Sequence, residues 1–434
     1  MIHTLQTASF TLTTQQLEAL ELMHKFLKSN KNLFLLLGYA GTGKSTIIFQ
    51  LIKTLVGEGK RIALTAPTNK AVRVLQRMAS KNDIYGVDFF TIHQLLGLGM
   101  VRRGSNKVLE QTAPSMLSLF DLVFLDECSM VNKELWHWIT ESISRSLITN
   151  KQLILMGDPA QLPPVNEVKS LSFNVPDKAI LTEVVRQGTD SPLLEFVTAC
   201  RKVVKSQNAF KPFSRYLPDK TNGAFMVKEN TLLRYAFKKV SKNFVQNPDC
   251  FRILCWTNKK VDYYNAKIRA KIYGENAPRF IVGERLITKS PVTGPDGKTI
   301  ILPTSTEIEV LDFCEDRYAG YKAWQLKVVT DEGTIRQIYV LHEDDTKRYK
   351  KDNARLLRNA KNNPSLWKAY YNHLEVFADI RNCYALTVHN SQGSTFDEVG
   401  IDGRDLNKNN KVRECNQLWY VASSRARRRV FVIY

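Results

Sequence analysis

Residues Gly38-Tyr39-Ala40-Gly41-Thr42-Gly43-Lys44-Ser45 follow an unbroken apolar run, Leu33 to Leu37, and open a helical one, Thr46 to Leu55. Strand, glycine-rich turn and helix in that order form a phosphate-binding loop of the G-x-x-x-x-G-K-[ST] type. The glycines Gly38, Gly41 and Gly43 let backbone N–H groups turn inward. Those amides, with Thr42 and Thr46 beside them, face phosphate oxygens at the positive end of the helix. Lys44 supplies a cation for the β and γ phosphates, and the Ser45 hydroxyl is a ligand for Mg2+. A chain with this loop is constrained to a parallel α/β sheet, because the loop works only at the carboxyl end of a strand that feeds a helix.

The apolar runs agree with that constraint. Leu33–Leu37, Arg61–Thr65, Leu122–Leu125 and Leu153–Met156 are short β-prone segments separated by stretches long enough for crossover helices. The Leu122–Leu125 run ends in Asp126-Glu127. Asp126 is placed to hold Mg2+ through water, and Glu127 to orient and deprotonate an attacking water. Two adjacent acids, where a GTPase switch usually has one, point to repeated ATP hydrolysis. Met156-Gly157-Asp158-Pro159-Ala160-Gln161 closes the next strand, and Gln161 is positioned to sense the γ phosphate.

A second set of strand-like runs, Phe251–Trp256, Tyr384–Val388, Glu398–Ile401 and Val430–Ile433, predicts a second α/β domain completed by the C-terminus. Two insertions interrupt this plan. Leu96 to Met116 reads as a basic β-hairpin around Gly104-Ser105-Asn106. Gly283 to about Leu341, with turn signals at Gly294-Pro295-Asp296-Gly297 and Asp331-Glu332-Gly333, reads as a small antiparallel barrel or meander. The charged segment Glu343 to Lys361 follows it. Then come Trp367, Tyr370, Tyr371 and Phe377 at roughly helical spacing, which favours helix packing over base stacking. The expected boundaries are 1–95 with 117–190 for the first domain, 96–116 for the hairpin, 191–282 with 380–434 for the second domain, and 283–379 for the barrel and its helical extension.

The chain carries 62 Lys and Arg against 42 Asp and Glu, a formal charge of +20 over 434 residues. Such an excess favours a polyanion, which a nucleic acid or an anionic membrane would satisfy. No apolar stretch reaches the roughly 18 to 20 residues of a membrane span, and the start MIHTLQTASF lacks the layout of a secretory signal, so a cytoplasmic protein without a membrane partner is expected. Seven scattered cysteines with no CxxC pair indicate reduced, mostly buried thiols rather than a disulfide framework or a metal cluster.

Taken together, these residues resemble the superfamily 1 helicases, and more narrowly the RecD and Dda-like group that moves 5′-to-3′. Leu12-Thr13-Thr14-Gln15-Gln16 is similar to the family's adenine-reading motif, with Gln16 the better partner for the base and Gln15 the fallback. Pro67, Thr68 and Asn69 fall in a segment similar to the first DNA-contacting loop, and Thr91 and His93 in one similar to the second. Trp256, Thr257 and Asn258 resemble the DNA-binding loop of the second domain. In Ala385 to Gly393, the resemblance puts Thr387 and His389 toward the strand, and Gln392 and Gly393 toward the ATP. Leu181 to Gln187 and Val421 to Arg427 resemble the segments that supply two arginine fingers, here Arg186 and Arg425.

The resemblance implies two tandem RecA-like domains with ATP between them, a hairpin pin in the first and an SH3-like barrel in the second. It also implies ATP and Mg2+ as cofactors, single-stranded DNA and single-strand/double-strand junctions as partners, replication or recombination proteins as further partners, and a monomeric motor. The 5′-to-3′ direction rests on the resemblance alone, because both directions use the same chemistry. Two other readings stay open: a single-strand translocase that displaces proteins with weak unwinding, and a motor subunit of a RecD-like complex.

Overall fold

The computed structural model describes residues 12–103, 105–145, 151–185, 191–244, 246–294 and 299–434. The chain forms two compact units, Met1–Gly99 with Gln111–Asp190, and Met100–Glu110 with Ser191–Tyr434.

The first unit is built on a six-stranded parallel sheet. Its order is Val87–Thr91, Ile62–Ala66, Leu122–Leu125, Gln152–Gly157, Leu33–Gly38, Lys178–Leu181. Leu33–Gly38 lies inside, with Leu36 opposite Met156 on one side and Ala179 on the other. A parallel strand covered on both faces has no polar side to show, which is why this run is apolar at every position before Gly38. Leu36, Phe124 and Ile154 pack against Ile47, Ile52 and Leu75 in one core. Val123 and Leu153 meet Ile92, Leu95 and Ile139. Each such side chain contributes about 1.5–3 kcal/mol by leaving water. The four inner strands are those read from the sequence. The two edge strands were not, since Val87–Thr91 and Lys178–Leu181 are half-exposed, with Asp88 and Lys178 turned to solvent.

Leu98–Arg103 and Asn106–Gln111 form a separate two-stranded sheet. Gly97 starts it at φ 66°, where a Cβ would come within 2.1 Å of the Ala113 carbonyl oxygen, so only glycine fits. Arg103 and Glu110 pair across the strands through two hydrogen bonds of 2.9 and 3.0 Å. The outer part of this hairpin, Met100–Glu110, groups with the second unit.

The second unit has its own six-stranded sheet, ordered Ala385–Thr387, Phe251–Cys255, Phe396–Asp402, Ala426–Ile433, Gly223–Met226, Arg215–Tyr216. All neighbours are parallel except the last pair. A five-stranded antiparallel sheet is inserted, ordered Ile335–Leu341, Tyr321–Thr330, Glu307–Tyr318, Arg285–Thr288, Ile380–Asn382, around a core that includes Leu286, Ile308, Leu326 and Ile338. Ile380–Asn382, which follows the segment read as the insertion, thus pairs as its edge strand. The inserted sheet is rooted on the α/β sheet by a buried ion pair, Arg252 to Glu307 at 2.7 Å. Helices Thr346–Asn362 and Trp367–Leu374 complete the insertion. No helix among the described residues is long and apolar enough to cross a membrane.

Candidate nucleotide site and nucleic-acid loops

In the first unit, Leu33–Gly38 ends directly beneath the phosphate loop. Gly41 and Gly43 take φ values of 84° and 78°, and Gly43 is the N-cap of the helix Lys44–Gly57 without a side-chain cap. The first amides of that helix are therefore left for a ligand. Gly43 has a second reason to be glycine: a Cβ would lie 2.3 Å from Gln16 Nε2. The Lys44 ammonium donates to the carbonyls of Gly38 at 2.5 Å and Tyr39 at 3.1 Å. Among the described residues Lys44 forms no ion pair, so a polyphosphate would be its first full counter-charge.

Gln16, Gly41, Thr42, Gly43, Lys44, Ser45 and Thr46 line one cleft of about 370 Å³, together with Leu12, Tyr39, Met78 and Val185. Leu12, Tyr39 and Val185 lie inside segments read from the sequence, where no role was given to them, and Met78 lies outside those segments. Gln16 Oε1 accepts from Thr13 N–H, and its Nε2 donates to the Thr42 carbonyl at 3.1 Å. The side chain thus joins a helix cap to the phosphate loop. Gln15 is held elsewhere, bridging the Thr182 and Glu183 amides at 2.9 and 3.1 Å, and it does not line the cleft.

Asp126 and Glu127 emerge from the strand Leu122–Leu125. Glu127 sits at φ 52°, and its N–H donates to Asp126 Oδ1 at 2.8 Å. Burial raises the Asp126 carboxyl above the usual carboxylate range, opposed by the Glu127 amide and the charge of Lys44. Neither acid is part of the cleft wall, and the chemistry of the Asp126 carboxylate is what a divalent cation would suit. Such an ion would remove the desolvation cost of the carboxylate, and Ser45, on the cleft wall, offers a second oxygen of the hard type that Mg2+ prefers. Cys128 beside the pair is no nucleophile, since burial pushes its thiol up to about 12. Its Sγ would lie 2.6 Å from a Cβ on Gly157, which explains the glycine before Asp158. Asp158 caps the turn that carries Gln161, accepting from Ala160 N–H at 2.9 Å. Gln161 is buried in that turn and is not part of the cleft wall. Arg186 lies outside the described residues.

The loops read as nucleic-acid contacts sit at the carboxyl ends of strands. Pro67, Thr68 and Asn69 follow Ile62–Ala66, and Thr68 caps the next helix by accepting from Ala71 N–H at 3.2 Å. Thr91 caps Ile92–Leu96 in a reciprocal box with Gln94. Burial lowers His93 below its ordinary 6.5, against a weaker pull from Glu134, so the ring is neutral at pH 7.

In the second unit, Trp256, Thr257 and Asn258 lead from the strand Phe251–Cys255 into the helix Asn258–Tyr273. Their position is set by a residue missed in the sequence, Asp405. Its fully buried carboxylate accepts from Trp256 N–H, Thr257 N–H and Thr257 Oγ1 at 2.8–2.9 Å. Asn258 Oδ1 accepts from Arg381 at 2.9 Å. Thr387 holds the next turn through Asn390 N–H at 3.2 Å. Burial lowers His389, against Glu414, leaving it neutral like His93. Gln392 is buried, and Gly393 turns at φ 70°. Arg425 joins this segment: its guanidinium donates to the carbonyls of Ser394 and Val421 at 3.3 and 3.2 Å and to Ser424 Oγ at 3.2 Å. Among the described residues no carboxylate neutralises it.

A family model described as an AAA domain matches residues 11–211, and one described as a UvrD-like helicase C-terminal domain matches residues 382–433. The fold is that of a Pif1 helicase: the crystal structure of Pif1 from Bacteroides in complex with ADP-AlF3 and ssDNA superposes with a TM-score of 0.52 at 18% identity, covering 98% of this chain and 92% of that one. The sequence is 25% identical to the ATP-dependent DNA helicase dda of Enterobacteria phage T4, over 97% of this chain and 99% of that protein. It is 27% identical to an uncharacterized protein of Acanthamoeba polyphaga mimivirus, over 96% of this chain and 98% of that protein. The chain is thus a homologue of the Dda, RecD2 and Pif1 helicases, in accord with the superfamily 1 resemblance of its motifs.

Proposed function

We propose that this chain is an ATP-dependent DNA helicase that moves 5′-to-3′ on single-stranded DNA and opens duplex ahead of it. The observation that carries the reading is a pair of cations without carboxylate partners among the described residues, Lys44 on the phosphate loop and Arg425 on the second α/β sheet. Both donate only to neutral oxygens, so transferring those bonds to phosphate gains charge–charge attraction.

In this reading Gln16 contacts the adenine, the amides of Gly41 to Thr46 and the Lys44 ammonium hold the phosphates, and Mg2+ is held by Ser45 and Asp126. When bound, Mg2+ would supply positive charge against the negative charge that develops on the transferring phosphate. Glu127 takes a proton from the water that attacks the γ phosphorus. The bond to the β-γ bridging oxygen breaks, and ADP and phosphate leave. Arg425 and Arg186 stabilise the transferring group, and Gln161, Gln392 and Gly393 report its loss to the loops that hold the strand. Pro67, Thr68, Asn69, Thr91, His93, Trp256, Thr257, Asn258, Thr387 and His389 form the strand track. The hairpin 96–116 acts as a pin that splits the duplex, and the inserted sheet, an SH3-like module, braces it. The contact that supports this bracing comes from the helix that follows the sheet, Trp367–Leu374, whose Tyr371 hydroxyl donates to the Ser105 carbonyl at 2.7 Å.

The test compares unwinding of two otherwise identical duplexes, one with a 5′ single-stranded tail and one with a 3′ tail. Opening of the 5′-tailed duplex alone is expected, with hydrolysis stimulated by single-stranded DNA. Efficient opening of only the 3′-tailed duplex overturns the direction, and stimulated hydrolysis without opening of either supports the translocase instead.

A further inference from the structure

The helix Thr346–Asn362 has two unlike faces. Its inner face is anchored. Tyr349 stacks on His373 with ring centroids 4.7 Å apart, and its hydroxyl donates to the His373 carbonyl at 2.6 Å. Asp352 accepts from the Tyr321 hydroxyl at 2.7 Å, and Ala360 is fully buried. The outer face carries Lys347, Lys350, Lys351, Arg358 and Lys361, all exposed. At about 100° per residue these five, with Arg355, fall within an arc of about 140° and run about 21 Å along the axis. Among the described residues none of the five is in an ion pair. The nearby acids are committed: Asp345 to Arg348, Asp352 to Arg355, Asp344 to Lys322, and Glu343 to Arg279.

We propose that this stripe of cations is a binding surface for the phosphate backbone of double-stranded DNA, distinct from the single-strand track. Charge complementarity calls for a polyanion, and the stripe's composition selects the duplex. Surfaces that hold single strands interleave cations with aromatic rings on which unstacked bases lie. This face has none, since Ala354 fills the gap between the cations and Tyr349 points inward. A surface that offers only charges reads only phosphates, which suits a helix whose bases are already stacked inside. An anionic bilayer is disfavoured because the side that would enter it is already packed against the protein. The placement follows from the motor reading: a helicase that pulls one strand needs a separate, sequence-blind hold on the duplex ahead.

The experiment uses the full chain and the variant Lys347→Gln/Lys351→Gln/Arg358→Gln/Lys361→Gln. Each is titrated by anisotropy with a blunt duplex and with a single-stranded oligonucleotide over a salt series, and with phosphatidylserine vesicles by co-sedimentation. Duplex affinity is expected to fall about tenfold or more at low salt, and the slope of log K against log[salt] to shrink by about 3 to 4. Single-strand affinity and single-strand-stimulated hydrolysis should stay as in the parent. A variant with the three lysines changed to arginine should bind duplex as the parent does. Unchanged duplex affinity overturns the proposal. So does a parallel loss of single-strand affinity, which would make the stripe part of the track, or vesicle binding that depends on these residues. Circular dichroism melting shows whether the variant is folded, and if it is not, the single substitutions Lys351→Gln and Arg358→Gln are each expected to shrink the salt slope by about 1. Absence of strand-stimulated hydrolysis in the parent would sink the motor reading while leaving the duplex titration to decide this one.

Discussion

Asp126 shows how a site residue works against the fold that holds it. Burial raises its carboxyl, so the protonated form is favoured in the folded chain relative to the unfolded one. The sign for stability follows from linkage. The contribution of a raised carboxyl is fully present below the unfolded value, about 4, and is lost as pH rises through the folded value. At neutral pH Asp126 therefore costs stability in the protein without nucleotide. Asp126→Asn is expected to abolish hydrolysis, by about 100-fold or more, while raising the melting temperature at pH 7 by about 2–4 °C. The gain should vanish toward pH 4, where the native residue is itself neutral. Equal melting temperatures from pH 4 to 8 would show that burial at this position costs nothing. The same residue scale separates Gln16 from Gln15. Adjacent in sequence and alike in chemistry, they face different neighbours because they project from different sides of the helix Thr14–Leu27.

At the scale of elements, the recurring device is a loop that leaves a strand and is capped into a helix: Thr68, Thr91 and Thr257 each accept from a backbone amide at the start of the next helix. A threonine at such a position is legible in sequence both as a cap and as a contact, since a hydroxyl is suited to either. What sequence does not reveal is the support behind it. Asp405 comes from a four-residue helix about 150 positions further along, and no local pattern connects it to Trp256 and Thr257. Asp405→Ala leaves those part-buried amides without their acceptor and is expected to cost about 2 kcal/mol. It should weaken single-strand binding about tenfold while leaving nucleotide affinity unchanged. Titrations of both ligands on the folded variant check this, and an equal loss of nucleotide affinity would show that Asp405 supports the unit as a whole rather than this loop.

At the scale of the whole molecule, the question is how chemistry in one unit comes to depend on the other. Arg425 is buried and held by neutral oxygens in the second unit, whereas the phosphate loop belongs to the first. If it serves as an arginine finger, Arg425→Ala should slow hydrolysis about 10³-fold while nucleotide affinity, set mainly by Gly38 to Thr46, changes less than about threefold. Fluorescent-nucleotide titration alongside steady-state turnover makes the comparison, and equal loss in both would assign Arg425 to binding rather than to the reaction. The sequence by itself determined the phosphate loop, the acidic pair, the four inner strands of the first α/β sheet and four neighbouring strands of the second, Ala385–Thr387, Phe251–Cys255, Phe396–Asp402 and Ala426–Ile433, but not Gly223–Met226 beside them. These are local patterns: a buried parallel strand must be apolar throughout, and a phosphate loop must have its glycines and lysine at set spacing. Only the tertiary structure decided which glutamine joins the cleft, that Asp405 holds the second-unit loop, that Arg252 and Glu307 root the inserted sheet, and that the outer hairpin groups with the second unit. The reason is common to all four. Amides, carboxylates and guanidinium groups bond to whatever polar group the topology brings within about 3 Å, and the partners brought there are tens to hundreds of residues away in the chain.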